Sequence, residues 1–398
     1  MHDHLIIRNC RLYNQLSREQ PTDILIIAGK IARLGSVDTD MDQSPIIDAD
    51  GRTTIPGLID VHIHGAGGGD TSHGTPQALN TISTTLARLG ITSFLATAMT
   101  RPEIGNEHLK ITGQLVGQDL GGANLLGLHL EGPFISRVKR GGIPLNAIKK
   151  PSRKALDELI QITGDNLKMM TIAPEVDGAL TVIQAMVDHG IIASFGHSDA
   201  NYIETQRGLE AGISHVTHIF NTMRPLHHRD PGPVPAIFEH PDVTVQVISD
   251  GLHLHEKMVR YIYQQFGGER CVCITDGMQA MGLPAGRYYY YGQEFESQGG
   301  AARYLDGTLI GTTYSLHQLM LKFWDFTGCN LETAVDTAAR NPATVLGLVD
   351  RKGSIELGKD ADLVVLDHDH SVWATIIGGR LVYTKEEVQK PSNNHFQY

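Results

Sequence analysis

The chain has 398 residues, more than one ordinary domain but enough for one α/β barrel of roughly 250 residues with a smaller companion. A net charge of −11, without any run rich in lysine and arginine, argues against nucleic acid or an anionic membrane as the main partner, although a phosphorylated small molecule needs only a local cationic pocket. No apolar stretch approaches the length that spans a bilayer, and the first residues, MHDHLIIRNC, lack the features of a signal peptide, so we expect a cytoplasmic protein.

Two short hairpin-like runs open the chain, HLIIRNCRLYN and DILIIAGKIARLGS, and the second turns at Ala-Gly-Lys. Their alternating apolar residues predict antiparallel strands. After residue 54 the pattern changes to short apolar runs separated by stretches with helical periodicity. In chain order the runs are GLIDVHIH, TSFLATA, LLGLHLEG, KMMTIAP, IIASFGH, SHVTHIF, VTVQVIS and CVCITD. This alternation predicts an α/β fold, a (β/α)8 TIM barrel over residues 55–353.

The C-terminal part of the chain returns to the pattern of the N-terminal part. Residues 353–383, GSIELGKDADLVVLDHDHSVWATIIGGRLVY, alternate apolar and polar side chains and contain a Gly-Gly turn. This similarity predicts that both chain ends build one small β domain, a β-sandwich. We assign residues 1–54 and 354–398 to it.

Polar side chains gather where the apolar runs of the barrel end, which is the face that carries the active site in such barrels. His62 and His64 are two residues apart, so on a strand both project to one side, toward the barrel axis. A carboxylate such as Glu131 that ends an apolar strand must be paired or bind a metal. Histidines and a carboxylate at successive strand ends predict a divalent transition metal with nitrogen and oxygen ligands. The residues at these ends are His62, His64, Glu131, Glu175, His197, His218, Asp250 and Asp276.

Each of these residues also has a purely structural interpretation. Taken singly, His197 and His218 fit hydrogen-bonded core histidines as well as metal ligands, and Glu131 fits an exposed loop. Asp276, which closes the eighth run, could cap the following segment. In the functional interpretation Asp276 is a general base that takes a proton from a water activated by the metal and later gives it to the leaving nitrogen. That arrangement is typical of a hydrolase.

Several motifs resemble a known family. PGLIDVHIHG, the histidines that end the fifth and sixth strands, and the aspartate that ends the eighth resemble the amidohydrolase superfamily. GLHLEGPFIS, TIAPE, GHSDA, THIFNTM, HHRDPG, ISDGLHLH and ITDGMQAMG resemble the N-acetylglucosamine-6-phosphate deacetylases, in order between residues 50 and 360. The resemblance implies a carbon–nitrogen hydrolase that removes the acetyl group from an N-acetylhexosamine 6-phosphate. The products would be acetate and the amino sugar 6-phosphate.

The resemblance also implies a metal centre. Glu131, His197 and His218 match the family's principal metal ligands, and Asp276 matches its catalytic acid and base. Some deacetylases replace the His-x-His pair and work with one metal. Since this chain keeps His62 and His64, a second ion bridged by Glu131 is also implied. The resemblance therefore points to zinc or iron(II), with one or two ions per subunit.

Other matched positions imply how the substrate is held. His253 matches the histidine that contacts the sugar and helps to polarise the carbonyl. Asn221 and Thr222 match positions that hold the phosphate. Arg229 matches an arginine that the family delivers to the phosphate of a neighbouring subunit's site, a task for which a guanidinium fork is suited. The implied assembly is a homodimer or homotetramer.

One position departs from the family pattern. Where family members commonly have Lys-Gly-Ala-His-Pro, this chain has KRGGIP, so Ile143 replaces a histidine that contacts the sugar. The choice between N-acetylglucosamine 6-phosphate and N-acetylgalactosamine 6-phosphate stays open for that reason, with His227, His228 or Lys139 as other sources of a polar contact.

Two further alternatives come from other classes of protein. A different amidohydrolase, such as a cyclic amidase or deaminase, typically bridges two metals with a lysine, where this chain offers Glu131. A metal-free scaffold on the same barrel would not need every ligand candidate to be present.

Overall fold

The computed structural model describes residues 4–15, 20–37 and 45–385. The N-terminal part forms strands that pair mainly through β1, which is antiparallel to β2 and parallel to β4 and β5. The second hairpin-like run is the antiparallel pair β2 and β3, whereas the first run is not a hairpin but the single strand β1. The five strands are β1 (His4–Leu12), β2 (Thr22–Ile27), β3 (Lys30–Leu34), β4 (Ile46–Asp48) and β5 (Thr53–Pro56).

The central part of the described chain forms an eight-stranded parallel sheet, so the predicted barrel is confirmed, and each predicted apolar run overlaps one of its strands. The sheet closes on itself where Ile63 bridges Gly277, beside a bond from the Asp276 N–H to the His62 carbonyl oxygen at 2.9 Å. Its strands, with a small hairpin (β7 and β8) after the first, are β6 (Leu58–Ile63), β7 (Gly65–Ala66), β8 (Gly69–Asp70), β9 (Ile91–Ala98), β10 (Asn124–Leu130), β11 (Leu167–Ile172), β12 (Ile192–Phe195), β13 (His215–Val216), β14 (Thr244–Val247) and β15 (Cys271–Cys273).

The sixth barrel strand is much shorter than its apolar run. Only His215 and Val216 have strand pairing, although the run SHVTHIF continues to residue 220. Beyond it the backbone turns left-handed at His218 (φ 27°), Phe220 (φ 73°) and Thr222 (φ 52°). Such angles are uncommon for residues other than glycine. The strand therefore ends early, and its polar continuation becomes a loop at the barrel mouth.

An antiparallel sheet that the sequence analysis did not predict follows the eighth barrel strand. Its apolar side chains, including Phe295 and Tyr304, pack with Ile135 and Ile143 in one buried cluster. The Met278 N–H donates to the carbonyl oxygen of Thr312 at 3.0 Å, which ties the last strand of the sheet to the barrel mouth. We call this sheet the insert: β16 (Gly286–Tyr290), β17 (Gln293–Gln298), β18 (Ala301–Tyr304) and β19 (Leu309–Thr312).

The helices surround the barrel and show ordinary local signals. The third one begins after Ser152, whose Oγ accepts the Ala155 N–H at 3.2 Å, and ends at Gly164, where φ is 61°. Its apolar face buries Leu156 and Leu159. The helices are α1 (Pro76–Arg88), α2 (Glu107–Leu115), α3 (Arg153–Thr163), α4 (Ala179–Asp188), α5 (Tyr202–Glu210), α6 (Pro233–Glu239), α7 (Glu256–Phe266), α8 (Leu316–Thr327), α9 (Leu331–Ala338) and α10 (Arg340–Val345).

The last strands return to the N-terminal sheet, as predicted. The strand β20 (Leu363–Leu366) pairs with β5, and β21 (Val372–Ile377) and β22 (Arg380–Thr384) follow in hairpin order. One mixed sheet thus contains strands from both chain ends. The domain boundaries after residues 54 and 353 stay a prediction.

A buried polar contact joins the first and eighth strands of the barrel. Asp60 is fully buried and accepts the Thr275 Oγ1–H at 2.6 Å and the His62 N–H at 3.2 Å. Burial raises the pKa of Asp60 to about 7, although these hydrogen bonds oppose the rise. The Thr275 Oγ1 also accepts the Gly277 N–H at 3.0 Å. Thr275 therefore holds the seam of the barrel next to the candidate site.

We expect Thr275→Val to lower the free energy of unfolding by about 1–3 kcal/mol, since it leaves buried polar groups unpaired. Urea denaturation measures the change. Thr84→Val is the matched control, because the exposed Thr84 hydroxyl bonds only to carbonyl oxygens of its own helix. Equal midpoints for the two variants would show that this seam contact is not important for stability.

Candidate metal centre and active site

Six side chains with metal-ligating atoms meet at the C-terminal ends of the barrel strands. In each of two groups of three, the ligating atoms all lie within 4.8 Å of one another. The sequence analysis predicted that these residues lie together, and the structure places them together. The first trio is Glu131, His197 and His218; the second trio is His62, His64 and Asp276.

Glu131 belongs to the first trio and also contacts the two histidines of the second trio. Its Oε1 is 2.9 Å from His197 Nε2 and 3.1 Å from His218 Nε2. Its Oε2 is 3.4 Å from His64 Nε2, and His62 Nε2 is 3.6 Å from Oε1. One carboxylate is therefore placed to bridge two ions.

Asp276 belongs to the second trio rather than standing apart from it. Its Oδ1 lies 3.4 Å from His62 Nε2 and 3.3 Å from His64 Nε2. The carboxylate also borders the cavity at the barrel mouth. Asp276 is therefore within reach of both an ion and a substrate.

The hydrogen bonds behind the imidazoles fit a bound cation. His62 Nδ1 lies 2.9 Å from Gln246 Oε1, and His197 Nδ1 lies 2.9 Å from the carbonyl oxygen of Lys139. Because these oxygens only accept, each Nδ1 carries a proton, and Nε2 is the nitrogen left to bind a cation. His62 Nε2 has no hydrogen-bond partner among the described residues, although it is buried. Lone pairs that face a carboxylate are explained by a divalent ion between them, and nitrogen with oxygen ligands suits zinc.

The carboxylates and imidazoles of the site shift one another's pKa toward the charged forms. Burial would raise the pKa of Glu131, but the imidazoles around it, first of all His197, hold it well below its usual value. Burial also opposes charge on Asp276, yet His62 and His64 lower its pKa to about 2. His64 is disfavoured as a cation by burial, but its contacts with both carboxylates raise its pKa to about 10. Both carboxylates are thus charged at neutral pH, and an ion bound by His64 would release a proton.

Three of the six residues have a strained backbone. His197 (φ 49°), His218 (φ 27°) and Asp276 (φ 50°) lie in or near the left-handed region. Such conformations cost roughly 1–3 kcal/mol each and persist only where the surrounding structure enforces them. The strain lies where three barrel strands turn their last side chains into one centre.

The cavity next to this centre has a volume of about 140 Å³ and two unlike walls. The predicted substrate residues Asn221, Thr222 and His253 line one part of it, and Ile143 lines another. Arg229 is exposed and is not among the lining residues. His253 Nδ1 is 2.6 Å from Asp250 Oδ2, which orients its ring. The apolar wall consists of Met99, Ile143, Tyr290, Leu309 and Ile310.

The sequence analysis did not single out several residues of the site. Gln246 supports His62, and a polar residue inside the apolar run VTVQVIS was the available signal. Tyr290 comes from the insert, and its Oη lies 3.4 Å from His64 Nδ1. No local pattern links the YYYY run to the barrel mouth, because the contact depends on the path of the whole insert.

Comparison with known proteins agrees with this architecture. A model of the amidohydrolase family matches residues 53–382. The chain therefore belongs to the amidohydrolase family. Within that family it groups with proteins named N-acetylglucosamine-6-phosphate deacetylase. The relative from Bacillus subtilis (strain 168) is 36% identical over 345 residues, which are 84% of this chain and 86% of the relative. The human relative is 36% identical over 357 residues, 86% of each chain.

Solved structures of such deacetylases share the fold. The structure from Mycobacterium smegmatis has a TM-score of 0.86 and 32% identity, covering 96% of this chain and 100% of that one. The structure from Thermotoga maritima has a TM-score of 0.83 and 32% identity, covering 95% and 99%. In the described parts of this chain, no helix is long and apolar enough to cross a membrane.

The bridging geometry predicts unequal effects on metal content. Glu131→Gln should remove most bound metal, because this carboxylate contacts the imidazoles of both trios. His62→Ala should reduce the metal content to that of the first trio alone. Elemental analysis of the purified variants gives the number of ions per subunit. If His62→Ala empties the protein while Glu131→Gln does not, Glu131 is not the central ligand.

Proposed function

We propose that this protein is a metal-dependent hydrolase that removes the acetyl group from N-acetylglucosamine 6-phosphate. The observation that carries the proposal is the bridging position of Glu131 between two ligand trios, in a chain 36% identical over 345 residues to a deacetylase of that name. A carboxylate at the bridge, where the alternative amidohydrolases have a lysine, favours the deacetylase over a cyclic amidase or deaminase.

The proposed cofactor is zinc or iron(II), as one or two ions per subunit. Glu131, His197 and His218 would hold the first ion. His62 and His64 would hold the second, with Glu131 shared. When bound, the metal would polarise the amide carbonyl of the substrate and lower the pKa of the attacking water.

Asp276 is proposed to carry the proton in this reaction. Its low pKa leaves it unprotonated at neutral pH, so its Oδ1 is ready to accept a proton from the attacking water. The same carboxyl group then protonates the nitrogen of the leaving amine. His253, whose ring is held by Asp250, also lines the cavity and would contact the sugar and help to polarise the carbonyl.

The sugar phosphate would lie along the polar wall of the cavity. Asn221 and Thr222 border the cavity and are proposed to hold the phosphate. Arg229 lies outside the cavity of its own chain, which agrees with a role at the phosphate of a neighbouring subunit in a homodimer or homotetramer. A bidentate guanidinium would give that contact both charge and direction.

We place the enzyme in the cytoplasm.

The apolar surroundings of Ile143 favour a second substrate. Ile143 is buried beside Met99 and Tyr290 in the cavity wall, and the exposed His227 and His228 do not line the cavity. Neither of these two imidazoles therefore replaces the missing histidine in the described cavity wall, and Lys139 is not among the residues that line it. We propose that N-acetylgalactosamine 6-phosphate is also hydrolysed, because an isoleucine cannot hydrogen-bond a sugar hydroxyl.

Acetate release from four sugars tests the proposed function: the N-acetyl forms of glucosamine and galactosamine, each with and without the 6-phosphate. We expect kcat/KM to be far higher for the phosphorylated sugars. Hydrolysis of a cyclic amide but of none of the four sugars would contradict the proposal and favour another amidohydrolase.

Asp276→Asn should lower kcat by about 100-fold or more, since an amide cannot take up the proton. Most of the bound metal should remain, because the first trio is intact. The control is Asp306→Asn, in an exposed turn of the insert. Turnover near that of the natural protein would remove Asp276 from the proposed mechanism.

Ile143→His should increase discrimination between the two epimers. A hydrogen bond restored in a dry pocket contributes about 1–3 kcal/mol, or about 5- to 150-fold in the ratio of kcat/KM values. Leu145→His, on the same loop but half-exposed, is the control and should leave the ratio unchanged. A natural protein that already prefers one epimer by more than about a thousandfold would show that another residue distinguishes them.

A further inference from the structure

Glu175 belongs to the motif TIAPE, and the mechanism above gives it no task. It follows β11 by three residues and lies next to the segment that begins with His197. The Ser198 Oγ–H donates to Glu175 Oε2 at 2.7 Å, and the Asp199 N–H donates to Oε1 at 2.7 Å. Both oxygens of one half-buried carboxylate are thus used on the two residues directly after a ligand of the first trio.

These two bonds act on a strained part of the chain. His197 has a φ of 49°, which a residue with a side chain adopts only when its neighbours are held firmly. Ser198 and Asp199 are the neighbours on its C-terminal side. Its imidazole is fixed separately, through the bond from Nδ1 to the Lys139 carbonyl oxygen. Glu175 therefore restrains the backbone from which the ligand projects.

The same segment also supports the loop of the polar cavity wall. The Ser198 N–H donates to the Thr222 carbonyl oxygen at 3.2 Å, and the Arg224 N–H donates to the Ser198 carbonyl oxygen at 3.2 Å. The Asp199 carboxylate lies 3.3 Å from the Arg224 guanidinium. Ser198 and Asp199 are therefore placed between Glu175 and the loop that carries Thr222.

We infer that Glu175 is a positioning residue: through Ser198 and Asp199 it holds His197 in the conformation that binds an ion together with Glu131 and His218. The inference rests on the proposed metal site. Supporting hydrogen bonds behind metal ligands commonly change metal affinity when they are removed. Glu175 differs from an ordinary surface carboxylate because both its bonds end on the segment of a ligand. No lysine or arginine pairs with it in the described residues.

The test is a titration of the metal-free protein with zinc(II) in competition with a chromogenic chelator. We expect Glu175→Ala to weaken zinc binding at the first trio, which contains His197, by about 10- to 100-fold. Ser198→Ala keeps the bond to Asp199, and Glu175→Gln keeps one acceptor, so both should show a smaller loss. Asp177→Asn is the matched control, because this neighbouring carboxylate is exposed and pairs only with the surface residue Lys150.

Zinc affinity separates positioning from a general effect on stability. If Glu175→Ala does not fold, Glu175→Gln and Ser198→Ala decide the matter. If the folded variants bind zinc as tightly as the natural protein does, the inference is overturned, even where their melting temperature is lower. A natural protein that binds no zinc would also overturn it. The zinc titration needs no substrate, so it is independent of the proposed function. A protein that binds zinc but releases no acetate would contradict the proposed function, while the titration would still decide the role of Glu175.

Discussion

The carboxylate of Glu131 is the group on which the rest of the structure depends. An ionised carboxylate removed from water is costly unless opposite charges or a metal surround it. Four imidazoles surround Glu131, and they come from the ends of three other barrel strands. The single buried charge therefore requires that these strands are correctly placed. The same contacts that keep Glu131 ionised create a site for divalent ions, and the chemistry proposed for this protein follows from that site.

The scaffold meets this requirement with backbone strain and buried supports. His197, His218 and Asp276 leave their strands in left-handed conformations, which turn their side chains inward at the barrel mouth. Asp60 and Thr275 hold the seam where the first and last strands meet. The insert then covers the apolar part of the cavity, and its last strand is bonded to the backbone of Asp276 through Thr312. Rigid strands thus carry the ligands, and the added sheet shapes the space in front of them.

Much of this arrangement could be predicted from the sequence, because parallel barrel strands give strong local signals and a common active face. Short apolar runs that end in His62, Glu131 and His197 were enough to predict strands and a shared centre. The insert could not be placed in this way, since Tyr290 reaches His64 only through the packing of a whole sheet. The early end of β13 was also missed, because the apolar run SHVTHIF has no local signal for the left-handed turn at His218. The roles of the individual site residues stay predictions.

The most direct test of the account is acetate release from N-acetylglucosamine 6-phosphate, measured on one preparation before chelation, after removal of metal, and after addition of zinc or iron(II). The account predicts that activity disappears with the metal and returns when the ion is restored, because the imidazoles and carboxylates of the site are arranged around a cation. Undiminished acetate release from protein shown by elemental analysis to be free of metal would contradict it.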